Sequence, residues 1–295
     1  MIHLNGLAVA LATPFTPDDQ VDVPAFRRLV RHCVRGGVDT LVVLGSTGEA
    51  ATLLEAERDA LITATLEEAA GRPVVVGTGS NATRQTAAWT ARAQALGAQG
   101  ALVVTPYYNK PTVDGLVAHY GVVAQAAPGL PLIAYNVPGR TGLNLTPAAL
   151  QRLWENPAVV AVKESSGNLA QIGEIARTLP AGKTLLSGDD GLALASLAVG
   201  ATGLVSVLGN ALPKATKRLV DLGRTGSSEA AALNARLLPL MDALFLESNP
   251  IPLKAVLQEL GLCGDAMRLP LVAASAATRA QLRGALAAVS ALEAA

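Results

Sequence analysis

A rhythm of short apolar runs constrains this chain more than any single residue. Such runs fall at residues 7–12, 40–44, 73–76, 101–104, 131–134, 159–162, 184–186 and 204–207. Each is rich in β-branched residues or leucine and lacks polar alternation, the pattern of parallel strands covered on both faces. Between them lie longer segments with helical spacing, among them 25–35, 55–70, 83–96 and 168–179. Strands alternating with helices in this way predict an α/β fold, a (β/α)8 TIM barrel. An open doubly wound sheet is the alternative. It calls for a glycine-rich turn after the first strand, and Ala12-Thr13-Pro14-Phe15 is not one.

The rhythm stops after about residue 210. Helices are predicted at 213–222, 228–245, 252–260 and 276–292, with breaks at 223–227 and 263–270 that are rich in Gly, Pro or polar residues. Residues 1–225 therefore read as the barrel and 226–295 as a helical extension packed on it, with no linker between.

Composition removes several function classes. The 23 basic and 23 acidic side chains cancel, so nothing argues for nucleic acid. No apolar run is long enough to span a bilayer. The start, Met1-Ile2-His3-Leu4-Asn5-Gly6, lacks a basic stretch followed by an apolar one, so no signal peptide is expected. Cys33 and Cys263 form no paired motif, and buried thiols in a reducing cytoplasm are the expectation. His3, His32 and His119 are scattered and show no metal-ligand spacing. Asp189-Asp190 reads as a helix cap, and no phosphate-binding loop is present.

In such a barrel the chemistry sits at the carboxyl ends of the strands. There, Lys163 closes the run Val159-Val160-Ala161-Val162-Lys163-Glu164. A buried lysine loses its charge more readily than a solvated one, and the neutral amine is the form that attacks a carbonyl. Pairing with Glu164 is disfavoured, because adjacent strand residues face opposite ways. Lys254 is a rival that opens a helix outside the strand series, and Lys110 lies in a polar loop. The second strand ends in Gly45-Ser46-Thr47-Gly48-Glu49, whose hydroxyls and free amides suit a carboxylate or, more plainly, cap a helix. Tyr107, Tyr108 and Tyr135 are three of only four tyrosines, and all fall at the ends of the fourth and fifth strands. Arg140 follows in Asn136-Val137-Pro138-Gly139-Arg140-Thr141-Gly142, a fixed cation suited to a second carboxylate or to a surface ion pair. The set suggests an imine between Lys163 and an oxo-acid.

Taken in order, Gly45–Glu49, Gly77-Thr78-Gly79-Ser80-Asn81, 105–111, 135–142, 163–168, 187–190, 205–210 and 249–254 resemble the dihydrodipicolinate synthase and N-acetylneuraminate lyase superfamily of pyruvate-dependent class I aldolases. The resemblance runs from Gly6 to about Lys254 and implies roles. Lys163 would form the Schiff base with pyruvate, and Tyr135 would move protons. Ser46 and Tyr108 would complete a relay, Tyr108 being lent by a neighbouring subunit. Thr47 and the backbone at Val205 would bind pyruvate. Arg140 would hold the carboxylate of aspartate 4-semialdehyde. No metal or organic cofactor is implied, and a homotetramer built as a dimer of dimers is.

Ser46 departs from the synthase branch, whose members usually carry threonine there, and Ser-Thr also occurs in the lyase branch. Arg140 points to the synthase, since lyase-branch members lack it. Another pyruvate-dependent aldolase, acting on a sugar acid or 2-oxo acid, is the alternative; a binding protein without turnover is a third reading. Asn81 and Tyr107 fit a lysine-inhibition site, but Glu55, Arg58 and Gln85 stand where inhibited members carry His, His and Glu. Weak or absent lysine feedback is expected.

Overall fold

The computed structural model describes residues 4–294. Met1–His3 lie outside the described residues, and with them part of what the start and His3 led one to expect. Eight parallel strands close into a barrel: β1 (Gly6–Ala10), β2 (Thr40–Val43), β3 (Val74–Gly77), β4 (Gly100–Val104), β5 (Leu132–Asn136), β6 (Val159–Glu164), β7 (Thr184–Ser187) and β8 (Gly203–Ser206). Each pairs with the next, and β8 returns to β1 through Ala8↔Val205. The predicted barrel is therefore present. β5 and β6 both run two residues beyond the predicted runs, and this carries Tyr135 and Lys163 inside the sheet, as register partners.

Alternation along the strands sorts side chains into two layers. Ala8, Ala10, Val42, Val75, Leu102, Ile133, Ala161, Leu186 and Val205 fill the barrel interior together with Tyr135. Leu7, Val9, Leu41, Val43, Val74, Val76 and Leu204 face outward and pack with the helices α1 (Val23–Arg35) and α2 (Glu55–Glu68). A register shift between β5 and β6 at Leu132/Ile133 sets Ala161 and Lys163 inward while Val159 and Val162 pack outward. Such a bulge re-aims a side chain.

The helices α3 (Thr83–Leu96), α4 (Val113–Ala126), α5 (Pro138–Thr141), α6 (Pro147–Trp154), α7 (Leu169–Arg177) and α8 (Ala193–Ala198) continue the outer layer. Their starts are marked by capping side chains where the sequence offers them: Thr112 accepts from Gly115 N, Thr146 from Ala149 N and Asn168 from Gln171 N. Beyond β8 come α9 (Pro213–Arg224), α10 (Glu229–Ala243), α11 (Ile251–Glu259), α12 (Ala276–Val289) and α13 (Ala291–Ala294). Leu219, Leu237, Leu253, Val256 and Leu282 share one hydrophobic cluster with the outward face of β1 and β2. The late helices are thus welded to the barrel by a common core.

The Asp189-Asp190 pair does not cap α8 at its first residue: Asp189 Oδ1 accepts from Gly191 N at 3.1 Å, in the turn before the helix. The Asp190 carboxylate instead accepts from Val207 N at 2.8 Å, from Leu208 N at 3.0 Å and from the Ser206 hydroxyl, and so closes the turn after β8. The buried Val207 and Leu208 amides would otherwise lack partners, and one carboxylate satisfies both. Burial pushes the Asp190 carboxyl up from its ordinary value. Cys33 and Cys263 are free and buried. Burial pushes their thiols up to about 12 and about 11, far from the reactive thiolate form. Among the described residues no helix is long and apolar enough to cross a membrane.

Candidate active site

Lys163 is 6% exposed, and its Nζ lies 4.2 Å from the centroid of the Tyr135 ring. Glu164 turns to the other face of β6, where its carboxylate accepts from Asn136 Nδ2 at 2.9 Å and Ser166 N at 2.7 Å. The acid next in sequence is therefore occupied elsewhere. Space for the lysine depends on Gly188: a Cβ there would sit 2.7 Å from Lys163 Cε and collide with the Ser165 hydroxyl. Only glycine allows this close approach.

A cavity of about 370 Å³ opens at the carboxyl ends of β2–β5, lined among others by Ser46, Glu49, Tyr107, Tyr135, Arg140 and Asn249. It is of the size that takes a small-molecule ligand. Gly77 forms part of its wall, and a Cβ there would lie 2.0 Å from Leu44 O, so β2 and β3 pack backbone to backbone beneath it.

Ser46 and Thr47 sit on a single 3-10 turn, Ser46–Gly48, directly after β2. The turn is held from several sides. Thr13 donates its hydroxyl to Gly48 O at 2.7 Å. Asn249 Nδ2 donates to Thr47 Oγ1 at 3.0 Å. Glu49 closes the turn in a left-handed conformation, φ 52°, uncommon for a residue with a side chain. Its buried carboxylate pairs with Lys254 Nζ and accepts from Arg268 N at 3.3 Å.

Lys254 is therefore more deeply buried than Lys163, at 0% exposure, yet it is spent. It pairs with Glu49, donates to Ala266 O at 2.8 Å and lies 4.2 Å from the Phe15 ring centroid. Desolvation lowers its pKa, and the Glu49 charge opposes that. Arg268 reinforces the same corner. Its guanidinium reaches Thr52 O at 3.0 Å, Asp19 Oδ1 at 3.0 Å and Glu57 at 2.5 and 2.6 Å. The hydrogen bonds from Arg268 hold the Glu57 carboxyl below its ordinary value.

Arg140 is exposed at the cavity rim on α5 and donates through Nη2 to Asn249 O at 2.9 Å. Val205 is buried in the interior layer that also holds Tyr135. Tyr108 stands apart: it is 88% exposed, with φ 71°. Its side chain therefore turns away from the cavity of its own barrel, in a backbone region that costs strain for a bulky residue. Lys110 is exposed, as its polar loop predicts.

Ser46, Tyr135 and Arg140 thus line one cavity, with Lys163 against Tyr135 and Thr47 tied to Asn249. The sequence places Glu49 and Asn249 within motifs but gives neither a role of its own, and nothing in it marks Arg268. The signal for Lys254 was a cation in the apolar stretch 251–257 with no acid at helical spacing, which demands a distant partner.

Arg58, one of the residues at which the resemblance led one to look for a lysine-inhibition site, is 4% exposed. It donates to Ala50 O at 3.0 Å and Gly77 O at 2.9 Å, and it stacks 3.9 Å from the Trp89 ring centroid. Burial brings its pKa down to about 10. Among the described residues no cluster of His, Cys, Asp and Glu could hold a metal ion.

Comparison with known proteins agrees with this geometry. The model of the dihydrodipicolinate synthetase family matches residues 3–289. A 4-hydroxy-tetrahydrodipicolinate synthase of Methylococcus capsulatus is 46% identical over 285 residues, 96% of this chain and 98% of that one. The crystal structure of the chloride-inhibited dihydrodipicolinate synthase of Acinetobacter baumannii complexed with pyruvate superposes with a TM-score of 0.95 at 39% identity, covering 98% of this chain and 99% of that one. A dihydrodipicolinate synthase from Cyanidioschyzon merolae with lysine bound gives a TM-score of 0.93 at 39% identity, covering 97% of this chain and 98% of that one.

Proposed function

The chain belongs to the dihydrodipicolinate synthetase family, and from that premise we propose how its own residues carry the reaction. It acts as a 4-hydroxy-tetrahydrodipicolinate synthase, condensing pyruvate with L-aspartate 4-semialdehyde through a lysine Schiff base. The observation that carries the residue roles is the pairing of a buried lysine with a tyrosine ring, in a barrel whose rim holds an arginine facing a cavity.

Lys163, as the neutral amine, attacks C2 of pyruvate, and loss of water leaves an imine. The Thr47 hydroxyl and amide hold the pyruvate carboxylate, with the backbone at Val205 beside it. The protonated imine draws electrons from C3, and a C3 proton leaves toward Tyr135. The resulting enamine carbon attacks the aldehyde carbon of the second substrate, whose oxygen takes up a proton. Arg140 fixes that substrate by its carboxylate, a bidentate match for a guanidinium. The amine of the same substrate then attacks C2 and displaces Lys163 as the ring closes, leaving the hydroxyl in place. The imine is the electron sink, so the carbon–carbon bond forms without an organic cofactor.

Ser46 and Tyr108 complete the proton relay in this reading. Tyr108 belongs to the site of a neighbouring subunit, which its outward display supports. That calls for at least a dimer, and the homotetramer of paired dimers is part of the proposal. So is the division into a barrel, 1–225, and an extension, 226–295, that adds Asn249 to the cavity wall.

The test is a coupled assay with pyruvate and aspartate semialdehyde beside a panel of sugar-acid aldehydes. Turnover confined to aspartate semialdehyde is expected. A preference for a neutral polyol aldehyde would overturn the assignment in favour of a sister aldolase.

A further inference from the structure

Asn249 is 6% exposed and comes from the extension, not from the barrel strands. It touches both anion-binding groups of the proposed site. Its Nδ2 donates to Thr47 Oγ1 at 3.0 Å, and its backbone oxygen accepts from Arg140 Nη2 at 2.9 Å. Its own Oδ1 is buried without a hydrogen-bond partner among the described residues. Leaving a buried acceptor unmade costs free energy, so such a group calls for an explanation.

The bond to Thr47 uses the other end of the amide, and its direction matters for an anion. A hydroxyl has one hydrogen to give and lone pairs to receive. With Asn249 donating into those lone pairs, the Thr47 hydrogen stays free to point at an anion. A side chain that accepted from Thr47 instead would take that hydrogen and leave lone pairs facing the ligand. Asn249 is itself held in place, because Lys254, five residues on, is anchored to Glu49 and Ala266 O.

We infer that Asn249 is a positioning residue for pyruvate: it sets the polarity of the Thr47 hydroxyl so that Thr47 donates to the pyruvate carboxylate. Through its backbone oxygen it also couples Arg140 to the same point. The extension thereby takes part in substrate recognition. This rests on the reading of Thr47 as the carboxylate ligand and deepens it.

The experiment measures the pyruvate concentration that half-saturates borohydride-trapped adduct, read by protein mass, in wild type, Asn249→Ala and Asn249→Asp. Pyruvamide, a neutral analogue, is run beside pyruvate. Asn249→Ala frees the Thr47 hydroxyl to turn away from the carboxylate, and forfeiting that charge-assisted hydrogen bond raises the half-saturating concentration on the order of tenfold. Asn249→Asp is nearly isosteric but can only accept. It takes the Thr47 hydrogen and adds a like charge, so it is expected to be worse, on the order of a hundredfold. With pyruvamide the excess of Asp over Ala should vanish.

A merely structural role predicts the reverse order, the isosteric change being milder, and equal effects on the two ligands. Either result in folded protein overturns the inference. Should one variant fail to fold, the pyruvate-to-pyruvamide comparison in the other decides. Absence of any adduct in wild type would instead sink the imine reading itself.

Discussion

Tyr135 and Lys163 are register partners on β5 and β6, and the lysine nitrogen stands 4.2 Å from the centroid of the tyrosine ring. The sheet itself therefore sets the distance between the amine and the aromatic ring. Neither side chain depends on a loop for its place, which is the condition for a precise site.

Arg140→Ala should separate the two substrates. The guanidinium lines the cavity rim, and the hydrogen bond it makes goes to Asn249 O rather than to Lys163 or Tyr135. We expect kcat/KM for aspartate semialdehyde to fall roughly 10- to 100-fold, the worth of a charge-assisted hydrogen bond. Imine formation with pyruvate should change little. Steady-state kinetics with each substrate varied in turn checks this. Equal losses for both substrates would contradict it.

Lys254→Met should damage the fold more than the chemistry. It strips the partner from a Glu49 carboxylate that is 1% exposed. An uncompensated buried charge of this kind costs about 3–5 kcal/mol. The double change Glu49→Gln with Lys254→Met should recover most of that loss, since no charge is then left alone. Urea unfolding at unchanged m-value measures both. A double variant as unstable as the single one would contradict the account.

The corner around Arg268 predicts an acid-labile contribution. Glu57 is held below its ordinary value of 4.5 by its bonds to Arg268. A carboxyl depressed in the folded state contributes stability above about pH 4.5, and that contribution is lost as pH falls through the lower folded value. Arg268→Leu should therefore cost thermal stability near neutral pH, with the gap from wild type narrowing below pH 4.5. Melting curves across that range decide it. A gap that widens in acid would contradict the linkage.

Lysine should inhibit weakly or not at all. The Arg58 guanidinium is spent on two backbone carbonyls and stacked on Trp89, so it is a fixed, buried cation and offers no free group to a bound amino acid. Glu55 and Gln85 also depart from the pattern of inhibited relatives. Half-inhibition at low lysine concentration would contradict this.

Much of this architecture was legible in the chain, for physical reasons. Parallel strands buried on both faces must be apolar throughout, and so they announced themselves as runs. Lys163 was legible because a cation ends such a run. The end of β5 was less so, because Tyr135 and Asn136 are polar-tipped residues that lie past the apolar run 131–134. What stayed hidden was long-range pairing. Glu49 with Lys254, Asn249 with Thr47 and Arg268 with Glu57 join residues far apart in sequence, and no local period records them. The Asp190 cap reached across to the turn after β8 for the same reason.

The central claim is tested most directly by reducing the protein with borohydride in the presence of pyruvate and mapping the adduct by peptide mass spectrometry. The account predicts one modified residue, Lys163, with Lys254 untouched inside its ion pair. Modification of Lys254 in place of Lys163, or no covalent adduct at all, would contradict it.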